Sequence, residues 1–250
     1  MKAMIFAAGL GTRLRPITDT MPKALVPVGG VPMLDRVILK LKNAGIKDFV
    51  INAHHFSDQI ARHLEESDNF GCSIALSIER DYPLETGGGI KAARSFLENE
   101  DTFLVHNVDI LSNLDISAFC ARQLPEKALA LLLVSERISS RYLLFDDSMR
   151  LMGWMNAKTG EIRSPYPDLD ADSCTKRAFS GIHLISGKVF SLMENEPEVF
   201  SIIDFYLKFA GQYEIYGFDA PGLELIDIGK PEALEAASKM LECREKSVTL

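Results

Sequence analysis

Cysteine is scarce in this chain and poorly spaced for chemistry. Cys72, Cys120, Cys174 and Cys243 are scattered, and no Cys-x-x-Cys pair occurs. That pattern argues against a zinc site and a disulfide framework, so a reducing, cytoplasmic setting is expected. Long apolar runs are also missing, and none approaches the ~20 residues that span a bilayer. Met1-Lys2-Ala3 leads straight into an apolar run and a glycine turn, too short an opening for a signal peptide. Positive charge is in deficit, with 27 Lys and Arg against 35 Asp and Glu and a net charge of −8. This argues against a broad surface for nucleic acid or anionic membrane, while leaving room for a local cationic pocket. Two nucleotide fingerprints are absent. Leu14 stands where Gly-x-Gly-x-x-Gly requires its third glycine, and no Gly-x-x-x-x-Gly-Lys-Ser/Thr run is present.

What is present is a chain of 250 residues, 47% apolar, enough for a substantial core. It reads as a single domain over 1–250, with about 137–178 an insertion or flap over the substrate. The apolar run Ala3 to Ala8 predicts a buried strand that empties into Gly9-Leu10-Gly11-Thr12-Arg13, with Pro22-Lys23 shortly after. Gly9 and Gly11 allow positive φ and close backbone approach, so their N–H groups, Arg13 and Lys23 can surround a polyphosphate. A glycine pair after a strand is also often only a turn. Leu34, Val37, Ile38 and Leu41 recur at helical spacing, Asp48–Ala53 reads as a strand, Ser57 as a helix cap, and Cys72–Ile78 as a third strand. Strands alternating with helices predict an α/β fold: a mainly parallel central sheet, helices on both faces, and ligands at the carboxyl ends of the strands.

Further along, Glu85-Thr86-Gly87-Gly88-Gly89 opens a helix, and its glycines either admit a flat ligand or form a flexible turn. Asp109 ends the apolar strand from Thr102, where a divalent cation is its natural partner, although capping a turn near Ser112 is the alternative. His106 reads as packed under that strand. Residues 142–154 predict a hairpin outside the sheet. Asp227 interrupts an apolar run just before Gly229 and Pro231, which is costly without a partner. Aromatic residues near Tyr206 and Tyr213, taken as exposed, leave the choice between monomer and homodimer open. No hexapeptide repeat follows the last helix.

Residues 7–28 match Ala-Ala-Gly-x-Gly-x-Arg-Leu-x-Pro-x-Thr, then Pro-Lys-x-Leu-x-Pro-Val. At that length the chain resembles the sugar-1-phosphate nucleotidyltransferases. The resemblance implies a Rossmann-like nucleotidyltransferase fold that joins a nucleoside triphosphate to a sugar 1-phosphate and releases pyrophosphate. It gives Arg13 and Lys23 the catalytic grip on the triphosphate, with Ala8, Gly9, Gly11, Thr12 and Asn107 around the nucleotide. Glu85 and Gly87 would read the base and ribose, Asp109 and Asp227 would hold Mg²⁺, and Gly181 would lie beside the sugar. Relatives carry a Glu-Lys pair after the hairpin, whereas this chain has Asn156-Ala157-Lys158, so Lys158 is a surface lysine or a substitute. Three further departures are Val108 for glycine, Leu225 for tryptophan and Lys230 for threonine. Glu-Thr-Gly-Gly-Gly is most like the enzymes that act on N-acetylmuramate 1-phosphate with UTP, in cell-wall recycling. Guanylyltransferases of mannose or heptose 1-phosphate are the alternative, and a non-catalytic nucleotide-sugar sensor is the alternative of another class.

Overall fold

Short apolar runs, each followed by a segment of helical spacing, build the first part of the chain. In the computed structural model, residues 1–248 are described, with side chains described through residue 241. The first elements are β1 (Ala3–Phe6), β2 (Pro27–Val28), β3 (Val31–Pro32), α1 (Met33–Asn43), β4 (Asp48–Ala53), α2 (Ser57–Glu66) and β5 (Ser73–Ile78). Next come α3 (Glu85–Ala92), α4 (Arg94–Leu97), β6 (Thr102–Asn107), β7 (Ile110–Ser112), α5 (Ile116–Cys120) and β8 (Ala128–Ser135). The remainder is β9 (Arg141–Phe145), β10 (Leu151–Asn156), β11 (Ile162–Arg163), β12 (Thr175–Ser186), α6 (Val189–Leu192), α7 (Ile202–Phe209), β13 (Glu214–Asp219), β14 (Leu225–Asp227) and α8 (Pro231–Val248).

Residue contacts divide the chain into two units, one of residues 2–83, 106–117 and 224–250, the other of residues 84–105 and 118–223 together with Met1. In the first, β1, β4 and β5 pair in parallel, Ile5 opposite Ile51 and Ile51 opposite Leu76. Parallel neighbours need crossover connections, and α1 and α2 supply them. Both helices put one apolar stripe inward: Leu34, Val37, Ile38 and Leu41 of α1 and Ile60 and Leu64 of α2 are buried. This bears out the α/β reading. Gly45, at φ +91°, ends α1 as expected. Ser57 is no cap; the residue before α2 is Phe56, and no side chain bonds to the helix start. Asp227 lies on a small separate ladder, in which β14 runs antiparallel to β7 and Asp227 is opposite Ile110, the residue after Asp109.

The second unit is built around β8, which pairs antiparallel with β12 and parallel with β13. The hairpin β9–β10 forms as expected, but it does not stand outside a sheet. β9 pairs with the first residues of β12, Met149 O accepts from Gly217 N, and Leu143, Leu144, Phe145 and Leu151 are buried. The sequence hides this because Arg141–Asn156 is short and flanked by polar turns, whereas its anchors lie dozens of residues downstream. Ser201 does cap α7, its Oγ accepting from Ile203 N at 3.2 Å. Tyr206 is not exposed, as the sequence suggested; it is fully buried, and its hydroxyl meets His183 Nδ1 at 2.9 Å. Burial drives the His183 pKa down to about 3, so the ring is a neutral partner of that hydroxyl. Cys72, Cys120 and Cys174 are free thiols, and the side chain of Cys243 lies outside the described residues. Among the described residues no helix is long and apolar enough to cross a membrane.

Candidate active site

The glycine turn begins where β1 stops. Ala7 N donates to Asn52 O at 2.8 Å, which fixes the exit of the strand against β4. Gly11 sits at φ +64° and ψ 24°, and its carbonyl accepts from both Leu14 N and Thr18 Oγ1, each at 2.8 Å. A Cβ there would stand 2.8 Å from Thr18 Cγ2. Glycine is thus required at residue 11 by dihedral and by space alike. Gly9 differs from the expectation: its φ is not positive, and a Cβ on it would meet nothing within 4 Å. The chain's own atoms do not call for glycine there. Gly11→Ala is expected to cost about 1–3 kcal/mol and lower Tm by several degrees. Gly9→Ala should leave Tm unchanged while weakening triphosphate binding, a split that thermal melts and nucleotide titrations check.

Lys23 follows Pro22 in a short 3-10 turn, and its side chain is buried, 8% exposed. An ammonium at that depth needs a partner, and it has one, since Nζ is ion-paired with Asp109 Oδ2. Asp109 occupies the turn between β6 and β7. Val108, the departure from the family's glycine, is itself buried, and its N–H donates to Phe6 O at 3.1 Å. That bond ties the end of β6 to the end of β1.

Asp227 comes to the same place from the far end of the sequence. It is opposite Ile110 in the β14–β7 ladder, and Ile228 N donates to Asp109 O at 2.8 Å. Gly229 is then the crowded position. A Cβ on it would stand 2.5 Å from Arg13 Nη2 and 3.0 Å from Asp227 Oδ1, so the guanidinium and the carboxylate both border the space above its Cα. The structure therefore brings together Arg13, Lys23, Asp109, Asp227 and Gly229. Arg13 and Asp227 are exposed, whereas Lys23 and Gly229 are not.

His106, on β6 three residues before Asp109, is fully buried, with Nδ1 at 2.7 Å from Asn107 O. Burial, with Lys40 adding to it, lowers its pKa to about 4. The ring is neutral at physiological pH and packed under the strand, as expected. Asn107 is half-buried beside it. A metal fit rests on donor chemistry: Asp109 and Asp227 offer only carboxylate oxygens. Among the described residues no cluster of three or more His, Cys, Asp or Glu could hold an ion. Two protein oxygens with remaining positions for water and phosphate match a hard, strongly hydrated cation, and do not match zinc.

In the other unit, the glycines of α3 have a different explanation from the expected one. A Cβ on Gly87 would stand 2.3 Å from Phe200 Cε2, and one on Gly88 would stand 2.1 Å from Glu198 O. The N–H groups of both donate to Phe200 O, at 2.9 and 3.2 Å. These glycines let residues 198–200 pack against the helix, and their N–H groups are already committed. Glu85 is exposed and holds φ +60°, a left-handed conformation at the helix start that a side-chain-bearing residue rarely adopts. Gly181, at φ +72°, lies in a bulge of β12 where the register slips between Phe179 and His183. Bulges of this kind re-aim side chains beside sites. Lys158 is on an exposed turn, its N–H held by Asn156 Oδ1 at 3.0 Å, and no bond of its ammonium is present among the described residues. Among the described residues no bond joins it to Gly181.

The nucleotidyl transferase family model matches residues 2–142. An N-acetylmuramate alpha-1-phosphate uridylyltransferase from Caulobacter vibrioides is 31% identical over 249 residues, covering 96% of each chain. The chain belongs to the nucleotidyl transferase family. An uridylyltransferase of the same description from Neisseria meningitidis serogroup B is 44% identical over 128 residues, 50% of this chain and 55% of that one. The solved structure of HddC from Yersinia pseudotuberculosis complexed with GMP-PN shares the fold, with a TM-score of 0.74 at 24% identity over 96% of this chain and 99% of that one. The protein is thus a sugar-1-phosphate nucleotidyltransferase with a Rossmann-like sheet.

The sequence alone gives no role to several residues of this nucleotidyltransferase. Thr18 is buried and bonded to Gly11 O, and Gly229 leaves the space that Arg13 fills. Asn52, fully buried, holds the loop entrance through its carbonyl and donates its side-chain amide to Glu79 Oε1 at 2.9 Å. The signal was available for Asn52: it is a polar residue near the carboxyl end of an apolar run, as Asp109 is.

Proposed function

We propose that this enzyme transfers the uridylyl group of UTP to N-acetylmuramate 1-phosphate, giving the UDP-sugar and pyrophosphate. The observation that carries the reading is the meeting of two cations and two carboxylates beside the glycine turn, drawn from residues 13, 23, 109 and 227. The identity to the Caulobacter uridylyltransferase along nearly the whole chain supports the choice of acceptor and base.

A phosphate monoester is already anionic near neutral pH, so its oxygen can attack the α-phosphorus in line without a strong general base. The obstacle is bringing two polyanions together, since like charges at contact repel by several kcal/mol at an effective dielectric of about 20. Arg13 and Lys23 offset this, binding the β- and γ-phosphates and neutralising charge that grows on the departing pyrophosphate. Ala8, Gly9, Gly11 and Thr12 line the turn along which the triphosphate lies, and Asn107 stands nearby. Asp109 and Asp227 would hold Mg²⁺, which supplies Lewis-acid polarisation of the α-phosphate when bound. In this reading Glu85 takes the base and ribose, Gly181 the sugar, and residues 137–178 cover the acceptor within the single domain, whereas Gly87, packed against Phe200 with its N–H committed, is given no role. Lys158, on its exposed turn, is given no role. The reading carries with it a cytoplasmic enzyme of cell-wall sugar recycling.

The test is coupled pyrophosphate detection with UTP, GTP, CTP and dTTP against N-acetylmuramate, mannose, heptose and glucose 1-phosphates. UTP with N-acetylmuramate 1-phosphate is expected to give the highest kcat/KM by tenfold or more. A maximum at GTP with mannose or heptose 1-phosphate would replace the substrate assignment. Silence with every pair would leave the sensor.

A further inference from the structure

Lys23 and Asp109 are committed to each other. The ammonium is buried, the carboxylate keeps 21% of its side-chain surface, and they are joined by an ion pair. On the reading above, the triphosphate claims Lys23 and the divalent cation claims Asp109. Neither can take its group without leaving the other charge without its partner in a poorly hydrated place, which is costly. When both arrive together, both charges are re-partnered at once.

We infer that Lys23 and Asp109 form a latch that makes divalent cation and nucleoside triphosphate bind as a linked pair, each weakly without the other. The inference rests on the proposed roles of these residues. It adds that the protein itself, and not only the affinity of cation for triphosphate in solution, creates the coupling. Linkage makes the effect reciprocal: whatever factor the nucleotide contributes to cation affinity, the cation returns to nucleotide affinity. The latch is local, because Arg13 and Asp227 belong to the same cluster, yet among the described residues no ion pair joins either of them to Lys23 or Asp109.

The full chain can be tested without turnover, by Mn²⁺ binding from its paramagnetic resonance and UTP binding by calorimetry with chelator present. Lys23→Met is expected to raise affinity for Mn²⁺ alone by about tenfold, a typical coupling factor, while weakening metal-free UTP. Asp109→Asn is expected to do the converse, tightening metal-free UTP by a similar factor while losing Mn²⁺. Two controls remove equal charge without opening the latch. Arg13→Met should raise Mn²⁺ affinity, and Asp227→Asn metal-free UTP affinity, by no more than a third of those factors. Circular dichroism confirms that each variant is folded, and Lys23→Arg, which keeps the charge, stands in if Lys23→Met is not. Lys23→Arg should keep Mn²⁺ binding weak without UTP. Equal effects from latch and control variants, or Mn²⁺ binding to the wild type alone as tightly as with UTP, would overturn the latch. A wild type that binds no UTP even with Mn²⁺ would instead overturn the functional reading itself.

Discussion

Asp227→Asn is expected to lower kcat by about 10²–10³-fold, the scale for removing a directed electrostatic stabiliser, with Tm nearly unchanged. Its carboxylate is exposed and stands beside Gly229 and the Arg13 guanidinium, so the fold does not depend on its charge. Asp109→Asn should cost at least as much in turnover and should also lower Tm. The difference arises because Asp109 is the counter-ion of buried Lys23. Breaking a buried pair costs about 3–5 kcal/mol, and the partial exposure of Asp109 brings the expected loss below that range. Steady-state pyrophosphate release with matched thermal melts checks both. Near-wild-type release from either variant would remove the carboxylate pair from the mechanism.

Arg13→Ala is the second large effect. The guanidinium lies over Gly229 and is exposed, so its planar fork can meet a polyphosphate. Its removal is expected to reduce kcat by about 10²-fold or more, raise KM for UTP, and leave KM for the sugar phosphate nearly unchanged. Arg13→Lys should recover only part of the loss, because an ammonium cannot reproduce the planar fork. Initial-rate kinetics with each substrate varied in turn provide the check. Unaltered UTP kinetics in Arg13→Ala would place the triphosphate elsewhere.

Much of the fold follows from local pattern. The apolar run before Gly9, the helical spacing from Leu34 to Leu41 and the strand at Asp48–Ala53 each carry their own period, and they form as that period dictates. Asp109 and Asp227 were legible as carboxylates at the ends of apolar runs, where an unpartnered charge is expensive. Their meeting was not legible, because it depends on the β14–β7 pairing of segments more than a hundred residues apart. The same limit hid the Lys23–Asp109 pair and the seat of Arg13 on Gly229. Gly87 and Gly88 teach the complementary point. Their sequence suggested space for a ligand, but the space is filled by Phe200 and by the Glu198 carbonyl, and only the long-range packing of residues 198–200 reveals it. Tyr206 was misjudged for a related reason: this residue of α7 is buried, and its hydroxyl partner, His183, lies on β12, more than twenty residues away.

The most direct test of the central claim is the position of Mn²⁺, by anomalous diffraction, in crystals grown with a non-hydrolysable UTP analogue. The account predicts one ion directly coordinated by carboxylate oxygens of both Asp109 and Asp227, and Arg13 and Lys23 on the β- and γ-phosphates. An ion held by the triphosphate alone, with those two carboxylates turned away from it, would contradict the account.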